Sequence, residues 1–413
     1  MEANKNIWIF NHYAVTPDLP GGTRHFDFGK ELVKRGYKVT IFASSFHHSM
    51  LKETKNYNSQ NYIIEDYDGV RFIWIKTFPY TQNDWRRVIN MLSYSIMAYK
   101  VAERLNIEKP DIIIGSSVHL FAVFTAYLVS KKYKKPFIME VRDLWPQTLI
   151  DVGVPKWHPF VILLGILEKF LYKKASKIIV LLSKANEYIE NLGISSKKIV
   201  WIPNGVNLDN YLLSDNLTKV KENDIFTIVY AGGFSITDNL ETLIEAAERT
   251  KVLGLKVKYK LYGDGMERQN IINLVKKKCL EDVVFIMEAV PKKQVPKILQ
   301  EADALFLPMR DLSLYKYGFS FNKLYDYLAS GKPILLLGSP ANNVVEEIYV
   351  GLSAKDKDEL VERIKNLYFM PTKDKDLMGL RGREYIEKYY NMHLLVDKLE
   401  SIIEEVSNNG EQV

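Results

Sequence analysis

The stretch that decides the fold runs from residue 198 to residue 234 and reads KIVWIPNGVNLDNYLLSDNLTKVKENDIFTIVYAGGF. A strand-like apolar run ends in the turn Pro203-Asn204-Gly205, and a polar segment rich in Asn, Asp and Lys follows from Leu208 to Asp224. A second strand-like run, Phe226–Ala231, then begins. Turn residues and a polar segment between two apolar runs are typical of a connection between domains. The sequence therefore predicts an interdomain linker at residues 206–224.

Strand-like runs alternate with helix-like segments on both sides of this linker. Most are rich in Ile and Val, which is expected for strands of a parallel sheet that is covered on both faces. They are Asn6–Phe10, Tyr37–Ala43, Val70–Lys76, Asp111–Ser116, Pro136–Val141, Lys177–Leu182 and Lys198–Ile202, then Phe226–Ala231, Val257–Tyr262, Val283–Met287, Asp303–Leu307 and Pro333–Leu337. We predict an α/β fold with domains at residues 1–205 and 225–390, closed by helical periodicity from about Lys373 to Val406. A C-terminal helix at 391–413 is expected to pack back on the first domain.

Bulk composition limits the class of protein. The chain has 413 residues, 47% hydrophobic and 26% charged, which is an ordinary balance for a two-domain globular protein. A single cysteine, Cys279, excludes a disulfide framework within the chain and suits a reducing compartment. No secretory signal and no run long enough to span a bilayer is visible. We expect a cytoplasmic protein whose membrane contact, if any, is peripheral.

Charge is unevenly distributed along the chain. Residues 1–205 hold 28 Lys and Arg against 18 Asp and Glu, a net of +10, whereas the remainder carries 28 against 32, a net of −4. A basic half indicates an anionic partner, such as phosphate, nucleic acid or an anionic membrane surface. Uneven surface charge without function is the alternative.

Three motifs in the first half lie at predicted strand ends, where open α/β sheets bind ligands. Pro20-Gly21-Gly22-Thr23-Arg24 joins the first strand to an amphipathic helix, and its glycines could bring amides to an anion, although a plain loop fits equally well. Arg142 and Asp143 are candidates for the ligand site, or alternatively for a structural ion pair. His119 is a candidate catalytic residue or a helix cap.

Two glycine turns in the second half follow strands directly. They are Gly232-Gly233 and Gly263-Asp264-Gly265. Both suit a phosphate or a nucleotide, but neither has the complete dinucleotide fingerprint, which disfavours an NAD-dependent oxidoreductase.

The longest motif, residues 317–333, reads YGFSFNKLYDYLASGKP. A helix is expected to begin at about Ser320, with Lys323 and Asp326 on one face near its N-terminus. Such a cation can bind phosphate and such a carboxylate can accept hydrogen bonds from vicinal hydroxyls, as a nucleotide requires. An exposed helical salt bridge is the alternative.

Taken together, these segments resemble retaining glycosyltransferases of family 4, which have two Rossmann-like domains facing across a cleft, the GT-B fold. The similarity covers nearly the whole chain. Its most specific part, Val141-Arg142-Asp143-Leu144-Trp145-Pro146, resembles the subgroup that builds bacterial O-antigen, capsule and other surface polysaccharides, including N-acetylfucosamine-type transferases. The resemblance implies a UDP-linked donor in the second domain and a saccharide or polyprenyl-diphosphate-linked acceptor in the first. It implies no cofactor, no metal and no nucleic-acid partner.

The resemblance also assigns roles to individual positions. The catalytic residues it implies are His119, Arg142 and Asp143. The acceptor-binding residues are Gly21, Gly22, Thr23 and Arg24. The donor-binding residues are Gly233, Gly263, Gly265, Val290, Arg310, Ser320, Asn322, Lys323 and Asp326.

Several positions depart from the family pattern. Asp326 replaces the second Glu of an acidic pair, and Gly318 occupies the first position. Many relatives carry Arg and Lys for the diphosphate where this chain has Gly233 and Asp238, so Lys323 and Arg310 are the expected substitutes. Asn322 and Gln147 also differ from the usual Ser and Glu. A non-catalytic homologue that binds sugar nucleotides, or a sugar-nucleotide epimerase, stays as an alternative function.

Two segments of the first half suit a membrane surface. Trp85–Leu92 and Trp157–Leu164 combine tryptophan with apolar residues, and Arg86, Arg87 and Lys169, Lys173 and Lys174 lie beside them. Aromatic and basic residues of this kind favour reversible docking on an anionic bilayer. A buried core helix at residues 160–167 is the alternative.

Overall fold

The computed structural model describes residues 5–82, 84–117, 119–211, 225–310 and 312–410. In the first domain the elements are β1 (Asn6–Phe10), α1 (Arg24–Lys34), β2 (Lys38–Ser44), β3 (Phe46–His47), β4 (Lys52–Glu53), β5 (Tyr62–Tyr67), β6 (Val70–Ile75), α2 (Trp85–Arg104), β7 (Ile112–Ser116), α3 (Leu120–Tyr133), β8 (Phe137–Val141), α4 (Gln147–Asp151), α5 (Pro159–Lys174), β9 (Lys177–Val180), α6 (Ala185–Asn191) and β10 (Ile199–Trp201).

In the second domain they are β11 (Phe226–Ala231), α7 (Leu240–Val252), β12 (Val257–Tyr262), α8 (Arg268–Lys277), β13 (Val284–Met287), α9 (Val295–Gln300), β14 (Ala304–Pro308), α10 (Asn322–Ala329), β15 (Ile334–Leu337), α11 (Val344–Glu347), β16 (Gly351–Ala354), α12 (Lys357–Phe369), α13 (Thr372–Tyr389) and α14 (Met392–Gly410). Residues 212–224, most of the predicted linker, lie outside the described part.

Each domain is built on one sheet. The first has the strand order β10-β9-β8-β7-β1-β2-β6-β5, and the second has the order β13-β12-β11-β14-β15-β16. All pairs in the second sheet are parallel, and in the first only β5 runs antiparallel to its neighbour. Central strands such as β1 are buried along their whole length because helices cover both faces. The predicted class, two Rossmann-like α/β domains, is confirmed.

Two edge strands of the main sheets, β5 and β16, were not predicted from the sequence. In β5 the residues alternate between exposed and half-buried because only one face of this edge strand is covered. β16 is four residues long and contains Gly and Ser, so it lacks the β-branched run that marks the central strands. Both lie at sheet edges, where burial places the weakest demand on composition.

The helical stretch predicted from Lys373 to Val406 is two helices, α13 and α14. The break carries the chain back to the first domain, where the backbone N–H of Met392 donates to Val206 O at 3.1 Å. α14 then packs on α1, and Arg35 forms ion pairs of 2.7 Å with Asp397 and Glu400.

Candidate active site

A cavity of about 540 Å³ lies between the two domains, where the carboxyl ends of both parallel sheets face each other. Its volume falls within the range of roughly 300–1,000 Å³ that is typical of ligand pockets. Of the positions singled out in the sequence, the cavity is lined by Gly21, Gly22, Arg142, Asp143, Gly233, Gly263, Val290, Ser320, Asn322, Lys323 and Asp326.

Glycine turns after β11 and β12 form the back of the second-domain wall. A Cβ on Gly263 would lie 1.9 Å from Gly232 O, so only glycine lets these two turns meet. Gly265 has a similar role, because a Cβ there would lie 2.5 Å from Phe234 O. Gly265 is not among the lining residues and shapes the wall by packing, so its contact with a donor stays a prediction.

The N-terminus of α10 supplies positive charge to this wall. Phe321, the residue before α10, makes no side-chain hydrogen bond to the helix end, so the end is not capped from that position. Lys323, in the first turn of α10, adds an ammonium that lies 3.1 Å from the Tyr230 hydroxyl and pairs with Asp238. A diphosphate that approaches Lys323 therefore meets a cation already partnered by a carboxylate.

Asp326 lies one turn further along α10 and is 6% exposed. Tyr211 donates its hydroxyl to Asp326 Oδ1 at 2.7 Å, and the Lys292 ammonium pairs with Oδ2. Lys323 and Asp326 thus face the same cavity but pair with different residues, and the helical salt bridge between them is not formed.

The first-domain wall presents Arg142 and Asp143 after β8, with Tyr13 and His48 beside them. Asp143 is open to the cleft but surrounded by protein elsewhere, and this burial raises the pKa of its carboxyl while Arg142 and Arg87 oppose the shift. His48 is open to the cavity, and desolvation within the cleft together with the nearby charges of Arg87 and Arg142 lowers its pKa to about 3. This wall therefore presents a cation, a carboxyl group that retains its proton more readily than usual, and a neutral histidine.

His119 does not line the cavity, and its predicted catalytic role is corrected to a structural one. It is 1% exposed and caps α3, its Nδ1 accepting from the Ala122 N–H at 3.2 Å. Its Nε2 lies 2.8 Å from His12 Nδ1. Burial lowers the pKa of His119 to about 3, so the ring is neutral, and the acceptor role of Nδ1 leaves the proton on Nε2.

Arg24 and Thr23 also lie behind the wall instead of on it. Arg24 is 3% exposed, and its Nε donates to Glu140 Oε2 at 2.9 Å while its other nitrogens donate to the carbonyls of Ile202 and Pro203. Burial alone would raise the pKa of Glu140, but Arg24 and His25 hold it well below its usual range. Arg24 therefore fixes the chain where the first domain ends, and it is not positioned to bind an acceptor. The Thr23 hydroxyl donates to Asp27 at 2.6 Å.

Arg310, expected to help neutralise the diphosphate, is absent from the cavity lining. Its side chain turns towards α7, where it lies 3.5 Å from Glu241. Two residues beyond β14 the chain has already left the sheet edge, which explains the different direction. Lys292 lines the cavity in its place, and the sequence reading gave it no role.

Across the residues that the structure describes, no group of three or more His, Cys, Asp or Glu side chains is arranged to hold a metal ion. Within the same ranges, no helix combines the length and the apolar character needed to cross a membrane.

Two family models match the chain in succession. Residues 21–210 match "Glycosyltransferase Family 4", and residues 216–384 match "Glycosyl transferases group 1". Their boundary falls at the junction between the two sheets, and the cavity lies between the parts they match. The chain is therefore a glycosyltransferase of the GT-B type.

Solved structures show the same fold at low sequence identity. Sucrose-phosphate synthase from Thermosynechococcus elongatus has 16% identity and a TM-score of 0.77, over 98% of this chain and 99% of that one. HepE from Anabaena in complex with UDP and glucose has 12% identity and a TM-score of 0.68, over 97% and 100%. WaaG, a glycosyltransferase involved in lipopolysaccharide biosynthesis, has 12% identity and a TM-score of 0.66, over 96% and 99%. A comparison with curated protein sequences finds no match.

Proposed function

We propose that this glycosyltransferase moves a sugar, with retention of anomeric configuration, from a UDP-sugar to a saccharide acceptor carried on a polyprenyl diphosphate, in the synthesis of a surface polysaccharide. The observation that carries the proposal is the arrangement on α10, where Lys323 and Asp326 face one cavity beside a helix N-terminus. The complex of HepE with UDP and glucose supports the donor class, and the role of WaaG in lipopolysaccharide biosynthesis supports the class of product.

The donor spans the second-domain wall. Its diphosphate accepts hydrogen bonds from the amides near Gly233 and the first turn of α10, and Lys323 supplies the cation. Asp326 accepts hydrogen bonds from the ribose hydroxyls. The base lies against Gly263 and Val290, which also line the cavity.

The reaction needs no protein nucleophile and no metal. The acceptor oxygen forms a bond to the anomeric carbon on the face from which UDP leaves, as the bond from that carbon to the β-phosphate oxygen breaks. The acceptor proton passes to a phosphate oxygen of the departing UDP. Lys323 and the α10 amides stabilise the charge that develops on the phosphate, while Arg142 and Asp143 orient the acceptor.

A lipid-linked acceptor requires the first domain to reach a membrane, and its helices expose the necessary surface. Ile162, Leu163 and Ile166 on α5 are 51%, 55% and 66% exposed, so residues 160–167 are not a buried core helix. Trp157 and Trp85 are 76% and 63% exposed. α2 packs against α3 and α3 against α5, so the helices that carry or adjoin these exposed residues are neighbours. With the basic residues beside them, these exposed apolar side chains suit docking on an anionic bilayer.

Co-sedimentation with phosphatidylglycerol vesicles tests the docking. Wild-type protein should sediment at low salt and less at high salt, and replacing Ile162, Leu163 and Ile166 by Ser should leave it in the supernatant. Val252 and Leu253 on the second domain are 82% and 53% exposed, and their replacement by Ser is the matched control. Wild-type protein that never sediments would point to a soluble acceptor.

Turnover tests the reaction itself. A thermal-shift screen identifies the nucleotide sugar, because a ligand of the folded state raises its stability. UDP release should then require an acceptor and persist in excess EDTA. An epimerase would convert the donor with no acceptor present, and a non-catalytic homologue would bind without turnover. Loss of activity in EDTA that Mg²⁺ or Mn²⁺ restores would contradict the metal-free reaction.

A further inference from the structure

The loop between β13 and α9 bridges the two walls of the cleft. The backbone N–H of Lys292 donates to Leu19 O at 3.2 Å, and that of Lys293 donates to Pro17 O at 3.3 Å. Both acceptors belong to the first-domain loop that leads to Gly21. These hydrogen bonds can exist only while the two domains are together, so the loop reports on closure of the cleft.

The Lys292 side chain reaches from this loop to Asp326. Its ammonium pairs with Asp326 Oδ2, and the Tyr211 hydroxyl occupies Oδ1. Removing the cation that pairs with a buried carboxylate is costly. Lys292 therefore balances the charge of Asp326 and fixes its orientation.

A carboxyl group of the other domain lines the same small cavity as this ammonium. Asp27 on α1 lines a small cavity of about 20 Å³ together with Tyr211, Lys292 and Asp326, room for about one water molecule. Burial raises the pKa of Asp27 to about 6, Lys292 opposes this shift, and Asp326 adds to it. The Lys292 ammonium therefore shares this small cavity with a carboxyl group from each domain.

We infer that Lys292 is a positioning residue that couples donor binding to closure of the cleft. The inference rests on the proposed function, in which Asp326 holds the donor ribose. In the closed cleft the contact with Leu19 fixes the backbone of Lys292, its ammonium shares a small cavity with Asp27, and it holds Asp326 ready for the ribose. When the domains separate, both restraints are lost. The donor therefore binds the closed state more tightly, and binding shifts the population towards closure by the same factor.

Three substitutions distinguish the effect of the Lys292 side chain from the effect of the loop that carries it. Lys292→Met removes the charge at nearly constant volume, and Lys292→Arg retains it. Lys293→Met is the matched control, because Lys293 lies in the same loop and its pair with Asp18 across the cleft, at 2.6 Å with both side chains 60% exposed, is too exposed to contribute much to closure. The measurements are the affinities for UDP and for uridine by calorimetry, and the radius of gyration by small-angle X-ray scattering with and without UDP.

Lys292→Met should weaken UDP and uridine binding by the same factor, about tenfold or more, because the ribose contact is common to both ligands. It should also enlarge the radius of gyration without ligand. Lys292→Arg should recover most of the affinity, and Lys293→Met should match the wild type. If Lys292→Met proves unstable in thermal unfolding, Lys292→Gln, whose amide still donates, should show a smaller but equal loss for both ligands.

Other outcomes overturn the inference in recognisable ways. Unchanged affinity in Lys292→Met removes the positioning role, and a loss confined to UDP assigns Lys292 to the diphosphate. Equal losses in Lys292→Met and Lys293→Met assign the effect to the loop. An unchanged radius of gyration removes the coupling to closure. Wild-type protein that binds neither UDP nor uridine would refute the proposed function, and the inference with it.

Discussion

The two walls of the cleft differ in how their charged side chains are paired. On the second-domain wall the cations are already paired, Lys323 with Asp238 and Lys292 with Asp326. On the first-domain wall no ion pair to Arg142 is found among the residues that the structure describes, and the pKa of its neighbour Asp143 is raised by burial. Under the proposed function, a donor diphosphate must therefore displace or share an existing carboxylate, whereas the acceptor meets a cation that forms no ion pair within the described residues.

Arg142→Ala should produce the largest effect, because it removes the cation without a carboxylate partner. We expect kcat/KM to fall about 100-fold, which is the scale for losing one preorganised charged donor, with UDP affinity unchanged. Steady-state kinetics and calorimetry measure the two quantities. Arg104→Ala, at an exposed position at the end of α2, is the control. A parallel fall in UDP affinity would mean that Arg142 binds the donor and that the two walls do not bind donor and acceptor separately.

Lys323→Ala should have the second-largest effect, a loss of about 10- to 100-fold in UDP affinity with no change in uridine affinity. A charge-assisted hydrogen bond of this kind contributes roughly 1.5–3 kcal/mol. Lys316→Ala, an exposed lysine before α10, should bind like the wild type. Equal losses for UDP and uridine would remove the assignment of Lys323 to the diphosphate.

Glu168 extends the comparison into the body of the first domain, where this carboxyl group, unlike Glu140, is buried against tyrosine hydroxyls instead of a cation. Its oxygens contact the hydroxyls of Tyr172 and Tyr188 at 2.9 and 3.0 Å, and burial raises its pKa to about 8. The folded state thus retains a proton that the unfolded state loses near pH 4.5. This group therefore lowers the free energy of unfolding by about 1.4 kcal/mol per pH unit as pH rises between those values.

Glu168→Gln should abolish that slope. Urea unfolding of variant and wild type at several pH values measures it, and the variant should be the more stable above pH 8. A variant whose stability falls with pH as steeply as that of the wild type would show that Glu168 is ionised in the fold.

Asp238→Asn should have the smallest effect and the opposite sign. Removing the carboxylate that competes for Lys323 should tighten UDP binding several-fold, since like charge near a diphosphate costs about 1 kcal/mol at a partly solvated site. Uridine binding should not change. Weaker UDP binding would mean that Asp238 serves to hold Lys323 in place for the phosphate.

The second-domain wall was largely predictable because its residues lie on continuous segments. Glycine turns after strands and the α10 motif bring Gly233, Gly263, Lys323 and Asp326 to one edge by local geometry alone. The same reasoning fails for Arg310, since strand-end proximity does not fix the direction of a side chain two residues later.

Arg142 and Asp143 were predicted from the end of β8, but the packing behind the first-domain wall and the closure contacts depend on tertiary structure that no local pattern encodes. His119 and Arg24 lie at strand ends as expected, but their side chains turn inward, to His12 and to Glu140. Lys292 was not predicted because its partners are distant in sequence. Asp326 lies 34 residues away in the second domain, and Leu19 lies in the first domain. The position of Lys292 two residues after Val290, in a loop at a strand end, was the only local signal.

Hydrogen–deuterium exchange with and without UDP tests most directly whether the second-domain wall binds the donor. UDP should slow exchange at residues 230–238, 262–265 and 320–327, while residues 140–147 stay unchanged until an acceptor is added. Protection by UDP that is confined to residues 140–147, or is equal in both walls at every subsaturating concentration, would contradict the division of the cleft.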